Sequence, residues 1–215
     1  MAEIIKNLIF VPKCKCCGRV ADSGNLCADC SEKLTKCRIK NPSLPLNKKI
    51  DLIDRSYASY YYKDRAKQVI KRAKFRNPAS FLRSFFDDIS IDIKDILAQN
   101  NIDMIVPVPC HKSKLYTQEY DIPQQMAQTI ASATGVEYSH CVDKIKRTDK
   151  QHNLPKDKRK VNLVNAFAVS ADVTGRNILL IDDVITTGIT MTTLATELKL
   201  AGRNKVYAWA YTLNT

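Results

Sequence analysis

Between Ile178 and Thr190 the chain reads ILLIDDVITTGIT, with two adjacent aspartates between an aliphatic run and a turn rich in threonine. Carboxylates repel phosphate but accept hydrogen bonds from hydroxyl groups, so Asp182 and Asp183 suit a pair of vicinal sugar hydroxyls. The residues that follow suit the opposite charge. Gly188 permits close backbone approach, and N–H groups at a helix start, with the hydroxyls of Thr186, Thr187 and Thr190 around Ile189, cradle a phosphate. Acids at one end and amides at the other describe a ribose 5-phosphate. Simple capping of the next helix needs one acid, not two before a hydroxyl-rich turn.

A second constellation lies near the N-terminus, where Cys14 and Cys17 form one C-x-x-C and Cys27 and Cys30 another. Each two-residue gap lets a tight turn aim both sulfurs at one ion, and four thiolates satisfy the tetrahedral preference of zinc. Four protein ligands leave no open position for water, which makes the metal structural. Reduced buried cysteines would explain the residue type but not the doubled spacing. Cys16 and Cys37 are left over.

These residues need elements to hold them. An apolar strand ILLI ending at Asp182 would deliver both acids to the carboxyl edge of a sheet, where α/β proteins bind ligands. A helix starting within TTGITMTT then carries Met191, Leu194, Ala195 and Leu198 on one stripe and stops at Gly202. Similar alternation runs through the chain. SYASYYY predicts a strand, and Ala66, Val69, Ile70 and Ala73 the apolar stripe of a helix with a basic outer face. FLRSFFDDI predicts more helix, DMIVPVP a buried strand, and Met126, Ala127, Ile130 and Ala131 a helix closed by Gly135. EYSHCVDKI, AFAV and KVYAWAYTL add strands, of which the first is the weakest. The pattern predicts an α/β fold with a parallel sheet flanked by helices.

Composition narrows the class further. With 45% hydrophobic and 26% charged residues in 215, most of the chain can bury a core, so disorder is not its main theme. A net charge of +12 favours phosphorylated ligands or nucleic acid without naming either. Eight cysteines without an export signal point to a reducing, cytoplasmic setting. The N-terminal MAEIIKNLIFVPKC is interrupted by Lys6 and Asn7 and reads as neither signal peptide nor membrane span. Six of the cysteines fall in the first 37 residues, and the prolines of KNPSLPLNKK then break any periodicity. The expected organisation is a small four-cysteine zinc module over 1–48 and an α/β domain over 49–215.

ILLIDDVITTGIT resembles the signature of the type I phosphoribosyltransferases, which bind 5-phosphoribosyl 1-pyrophosphate (PRPP). The resemblance extends to the ComF family of competence-related proteins over nearly the whole chain. NLIFVPKCKCCG is similar to that family's leader and first metal pair, VPVPCH to its pyrophosphate-side loop, and YYYKDRAKQVIKRAKF to its basic segment. TDKQHNLPKDKRKVNLVNAF is similar to its T-x2-Q-x2-L-x4-R-x2-N-x3-A-F stretch. One segment departs from the pattern: Gln118, Glu119, Tyr120, Asp121 and Ile122 stand where the family reads R-G-F-N-Q, which removes an arginine and two carboxamides.

The resemblance implies a type I phosphoribosyltransferase-like fold that binds PRPP with magnesium and places Asp182 and Asp183 at the catalytic centre. Pyrophosphate would leave C1 of the ribose and a nucleophile would attack the oxocarbenium-like centre, so cations are needed at the leaving group. Lys112 and Lys114, just past the VPVP strand, are the candidates by position. Purine-salvage members carry an acid at the position of Thr186 to serve the incoming base; a threonine cannot do that, and the acceptor stays unnamed. Between Lys144 and Lys160 the chain carries Arg147, Lys150, Lys158, Arg159 and Lys160 among other cations. Such a stretch can close over pyrophosphate, grip a nucleic-acid backbone or simply be solvated. Tyr60, Tyr61 and Tyr62 beside Arg65, Lys67, Lys71 and Arg72 could stack single-stranded bases or pack in a core. The alternative to a transferase that the resemblance implies is a PRPP-sensing module that binds single-stranded DNA and works with DNA-uptake proteins at the inner face of the membrane.

Overall fold

The structure is a computed structural model that describes residues 12–21, 26–46, 50–75, 78–110, 120–145, 166–202 and 204–214, the side chains of 78–85 excepted. Five strands form one parallel sheet: β1 (Arg55–Tyr61), β2 (Met104–Pro107), β3 (Glu137–Tyr138), β6 (Asn177–Ile185) and β7 (Lys205–Leu213), in the order β1-β7-β6-β2-β3. β4 (Val142–Lys144) and β5 (Phe167–Val169) pair antiparallel beside it. The expected strand in EYSHCVDKI therefore divides: Glu137 and Tyr138 join the sheet edge, and Val142 to Lys144 join the small ladder. The helices are α1 (Ala28–Thr35), α2 (Asp64–Ala73), α3 (Pro78–Gln99), α4 (Ile122–Thr134) and α5 (Ile189–Ala201). Among the described residues no helix is long and apolar enough to cross a membrane.

Alternation along the central strands builds two cores, one on each face of the sheet. Leu179 and Ile181 of β6 pack with Tyr207, Trp209 and Tyr211 of β7 on the face covered by α2, α3 and α4. Ile178 and Leu180 join Val206, Ala208 and Ala210 on the opposite face, against Met191, Leu194, Ala195 and Leu198 of α5. Small residues on one side of β7 let α5 lie close, and aromatic residues on the other fill a deeper layer.

Local signals set the helix ends. The carboxylate of Asp121 accepts a hydrogen bond from Gln124 N at 3.2 Å, Pro123 occupies the first turn of α4, and Gly135 closes the helix in the left-handed region at φ 75°. The cysteine-rich segment does not stand apart from the main core. Cys14, Cys16, Cys30, Leu34 and Cys37 are buried in the same cluster as Tyr60, Val69 and Ile70. Arg65 and Arg72 on α2 reach back to it, bonding Asp29 Oδ2 at 3.1 Å and the carbonyl of Cys17 at 3.2 Å.

Candidate functional site

The acid pair lies where the sheet changes direction. From β6 the chain passes through α5 to β7 on one side, and from β2 through α4 to β3 on the other. The crevice between the carboxyl ends of β2 and β6 is thus the switch point at which open α/β sheets bind ligands. β6 does not end at Asp182, as the apolar run suggested, but continues to Ile185 along β7, with Asp182 opposite Ala210 and Ile185 opposite Leu213. Its pairing with β2 stops earlier, at Pro107 opposite Ile181. The strand therefore overhangs its shorter neighbour, and the overhang begins with Asp182 and Asp183. The longer partner β7 sustains it: Thr212 Oγ1 donates to the carbonyl of Asp183 at 2.9 Å.

A cleft of about 200 Å³ opens beside this overhang, lined among others by Lys74, Cys110, Asp121, Lys144, Asp183 and Thr190, with Asp182 also on its wall. Asp183 follows Ile181 onto the face covered by α2, where Lys74 Nζ stands 2.5 Å from its Oδ2. Burial works to lower the pKa of Lys74, but the charges of Asp183 and Asp182 outweigh it and hold the ammonium above its ordinary value. The carboxyl of Asp182 is pushed well above the usual aspartate range, first by burial and then by the neighbouring charge of Asp183. Asp183 N–H donates to Asp182 Oδ1 at 2.8 Å and partly offsets this. Asp121 is also raised, chiefly by burial, with the charge of Asp183 adding to it.

Beyond Ile185 the threonine turn leads into α5. Thr186 and Thr187 are exposed, Ile189 and Thr190 half-buried, and Gly188 buried. Gly188 precedes the helix at φ 81°, in the left-handed region, and a Cβ there would lie 2.9 Å from Cγ1 of Ile50. Glycine is thus required by conformation and by space together. No side chain caps the helix start among the described residues, and Ile189 N–H points to Thr187 Oγ1 at a long 3.5 Å. The first-turn amides keep their capacity for an anion.

Asp182, Asp183 and Thr190 are thus brought to one cleft, with Gly188 at the helix start behind it. Lys112, Lys114, Arg147, Lys150, Lys158, Arg159 and Lys160 lie outside the described residues, as do Gln118 and Glu119. Lys74 and Asp121 line the cleft without having been singled out by spacing, and Lys144, the first cation of the basic stretch, lines it too. A signal for Lys74 existed. It continues the stripe Ala66, Val69, Ile70, Ala73, so a cation occupies the next inward position of an apolar face. Asp121 belongs to the segment that departs from the family pattern, and its value to the site became visible only from its place at the start of α4.

The four cysteines converge in the segment that Arg65 and Arg72 of α2 hold. The sulfurs of Cys14, Cys17, Cys27 and Cys30 all lie within 4.8 Å of one another, close enough to share one metal ion. Gly18, at φ 81°, turns the first pair, with Gly18 N–H bonding the carbonyl of Cys14 at 2.8 Å. A hydrogen bond from Arg19 Nε to Cys17 Sγ at 3.4 Å draws that thiol down to about 6, toward the thiolate a metal requires.

The tyrosines divide between the two readings. Tyr60 is buried against Tyr211 with Arg38 over its ring, so it belongs to the core. Tyr61 is exposed beneath the ammonium of Lys63, and half-buried Tyr62 lies beneath that of Lys67.

Known proteins place this architecture among relatives. No protein-family model matches the chain. It is 32% identical over 108 residues to DNA utilization protein YhgH of Salmonella typhi, a match covering 50% of this chain and 48% of that protein. It is 25% identical over 148 residues to competence protein F of Haemophilus influenzae, covering 66% and 65% of the two chains. It is 26% identical over 178 residues to competence protein ComFC of Bacillus subtilis, covering 83% and 68%. The chain thus spans about half the length of the YhgH relatives it matches. A structural similarity to adenine phosphoribosyltransferase of Saccharomyces cerevisiae, complexed with an imino-altritol bisphosphate and adenine, covers 87% of this chain and 89% of that one at 15% identity, with a TM-score of 0.43. The α/β chain with its four-cysteine cluster is a homologue of competence protein F, ComFC and YhgH, consistent with a ComF family protein.

Proposed function

We propose that this protein binds PRPP with magnesium in the cleft at the overhang of β6, and transfers its phosphoribosyl group to an acceptor with release of pyrophosphate. The observation that carries the reading is the juxtaposition of Asp182 and Asp183 with the α5 start at Gly188 to Thr190, on one sheet edge at the switch point. The amides of the α5 start would hold the 5-phosphate, and the acid pair would accept hydrogen bonds from the ribose hydroxyls. Magnesium, bound through the oxygens of the ligand, would neutralise part of the pyrophosphate charge. Lys112 and Lys114 follow β2 in the sequence and would serve the leaving group, while Arg147, Lys150, Lys158, Arg159 and Lys160 would either close over pyrophosphate or grip a nucleic-acid backbone. In the transfer, the C1–oxygen bond breaks with its electron pair going to pyrophosphate, and an acceptor lone pair forms the new bond at C1.

Zinc suits the cysteine site. Bonds of about 2.3 Å in a tetrahedron set an S···S edge of about 3.8 Å, and Cys17 Sγ and Cys27 Sγ stand 3.7 Å apart. The ion would be structural, fixing the segment that Arg65 and Arg72 join to α2.

The test is pyrophosphate release from PRPP and magnesium across a panel of nucleophilic acceptors, with Asp183→Ala as control. Release that the substitution abolishes supports the reading; absence of release with every acceptor leaves a binding module. A second reading, single-stranded DNA binding during DNA uptake, is favoured by exposed Tyr61 and half-buried Tyr62, with Lys63, Lys67 and Lys71 exposed beside them. Affinity for single strands should then fall steeply with added salt, and weak binding at low salt would remove it.

A further inference from the structure

We propose that Lys74 is a positioning residue of the sugar-phosphate site: its ammonium clamps Asp183 in the orientation that faces the cleft and offers the bound anion a cation from the α2 side. The inference rests on the ligand reading above for its second half, and on geometry alone for its first.

Lys74 is the residue that closes α2, and its backbone N–H bonds the carbonyl of Ile70, so its stem leaves the helix from a fixed point. Nζ ends 2.5 Å from Asp183 Oδ2 on the wall of the cleft. Only about a quarter of the side chain is exposed, and Asp183 is 12% exposed, so bulk water competes weakly for the pair. Burying one ammonium beside two adjacent aspartates makes sense only if those acids must stay oriented and at least one must stay ionised. A carboxylate fixed from one side by Lys74 would offer its remaining lone pairs to hydroxyl donors arriving in the cleft.

The charges around the pair come from several elements. Asp182 neighbours Asp183 on β6, Asp121 faces it from the start of α4, and Lys144 stands on the cleft wall from β4, with His140 behind Asp121. Lys74 is in direct contact with Asp183. A neutral side chain of similar length would leave the three carboxylates of the cleft wall without the cation that touches Asp183. Asp182 would then hold its proton to higher pH, and a protonated acid accepts fewer hydrogen bonds from a sugar.

Four chains decide the matter: the wild type, Lys74→Arg, Lys74→Met and Lys94→Met, the last removing an exposed charge from α3. Melting temperatures first establish that each is folded. In the absence of ligand, carboxyl-carbon NMR should show the titration of Asp182, which the charge of Lys74 lowers, displaced upward in Lys74→Met, restored in Lys74→Arg and unchanged in Lys94→Met. Calorimetric titration with PRPP and magnesium should show affinity reduced about ten- to hundredfold in Lys74→Met, as for loss of a hydrogen bond to a charged group, with Arg recovering most of it. An unmoved carboxyl titration in Lys74→Met overturns the positioning role whether or not PRPP binds. Equal losses in Lys74→Met and Lys94→Met overturn the ligand contact, because general charge then explains both. Absence of binding in the wild type strikes the ligand reading instead and leaves the carboxyl titration to judge the clamp.

Discussion

Substituting Gly188 by alanine should destabilise the protein through two separable effects, and a double-mutant cycle with Ile50 can part them. At φ 81° an L-residue carries a backbone cost of about 1–2 kcal/mol. The new methyl would also meet Cγ1 of Ile50 at 2.9 Å and its Cδ1 and Cγ2 at 3.0 Å, closer than carbon atoms pack, and overpacking of that kind costs about 1–3 kcal/mol. The single variant should therefore lose about 2–5 kcal/mol, the sum of the two ranges. Ile50→Ala alone costs about 2–5 kcal/mol as a large-to-small change at a buried site, but it removes all three clashing carbons. Combined with Gly188→Ala it should therefore cost about 1–3 kcal/mol less than additivity, the size of the relieved overpacking. Urea denaturation of the four chains reads the cycle. Strict additivity would refute the steric half of the reasoning, and an innocuous Gly188→Ala would refute the turn geometry altogether.

Three further outcomes follow from the same coordinates. Cys27→Ser should abolish retention of zinc in elemental analysis and lower the melting temperature of the entire chain, because the cysteine segment shares its core with Val69 and Ile70; a variant that melts like the wild type would separate the segment from the core. Asp182→Asn should raise stability at neutral pH. An acid whose folded pKa is raised keeps its proton while the unfolded chain loses it, so its cost starts as pH rises through the ordinary value of 3.8, grows up to the folded pKa and is absent below both. Thermal melts at pH 3 and pH 7 should show about no gain at the first and a gain at the second, and an equal gain at both would contradict the assigned cause. Asp183→Ala, in contrast, should gain nothing comparable at neutral pH, since it strands the largely buried ammonium of Lys74; a clear rise in its melting temperature would show that the pair is not coupled.

How much of this was legible in sequence depended on whether the signal was local. The β6–α5 unit could be read because its apolar run, acid pair and glycine are contiguous, and because Met191, Leu194, Ala195 and Leu198 repeat at the helical period. The doubled C-x-x-C was equally local, and its sulfurs do converge. The overhang was not legible: where a strand appears to end depends on the length of its neighbours, and β7 supports β6 for several residues after β2 has stopped. Tyr60, Tyr61 and Tyr62 look alike in sequence but part company once strand alternation buries one ring under Arg38. The places of Lys74 and Asp121 in the site were not legible because they arise from two elements that meet only in the fold. One closes α2, the other opens α4, and the acid pair lies between them.

The central claim is one of direction: hydroxyl-binding acids at one side of the cleft, a phosphate-binding helix start at the other. A crystal structure of the metallated protein grown with PRPP and magnesium tests it most directly. The expected result is the 5-phosphate against the amides of Gly188 to Thr190 and the ribose hydroxyls on Asp182 and Asp183. Density for the ligand with its pyrophosphate seated on the α5 start, or bound away from the acid pair, would contradict it.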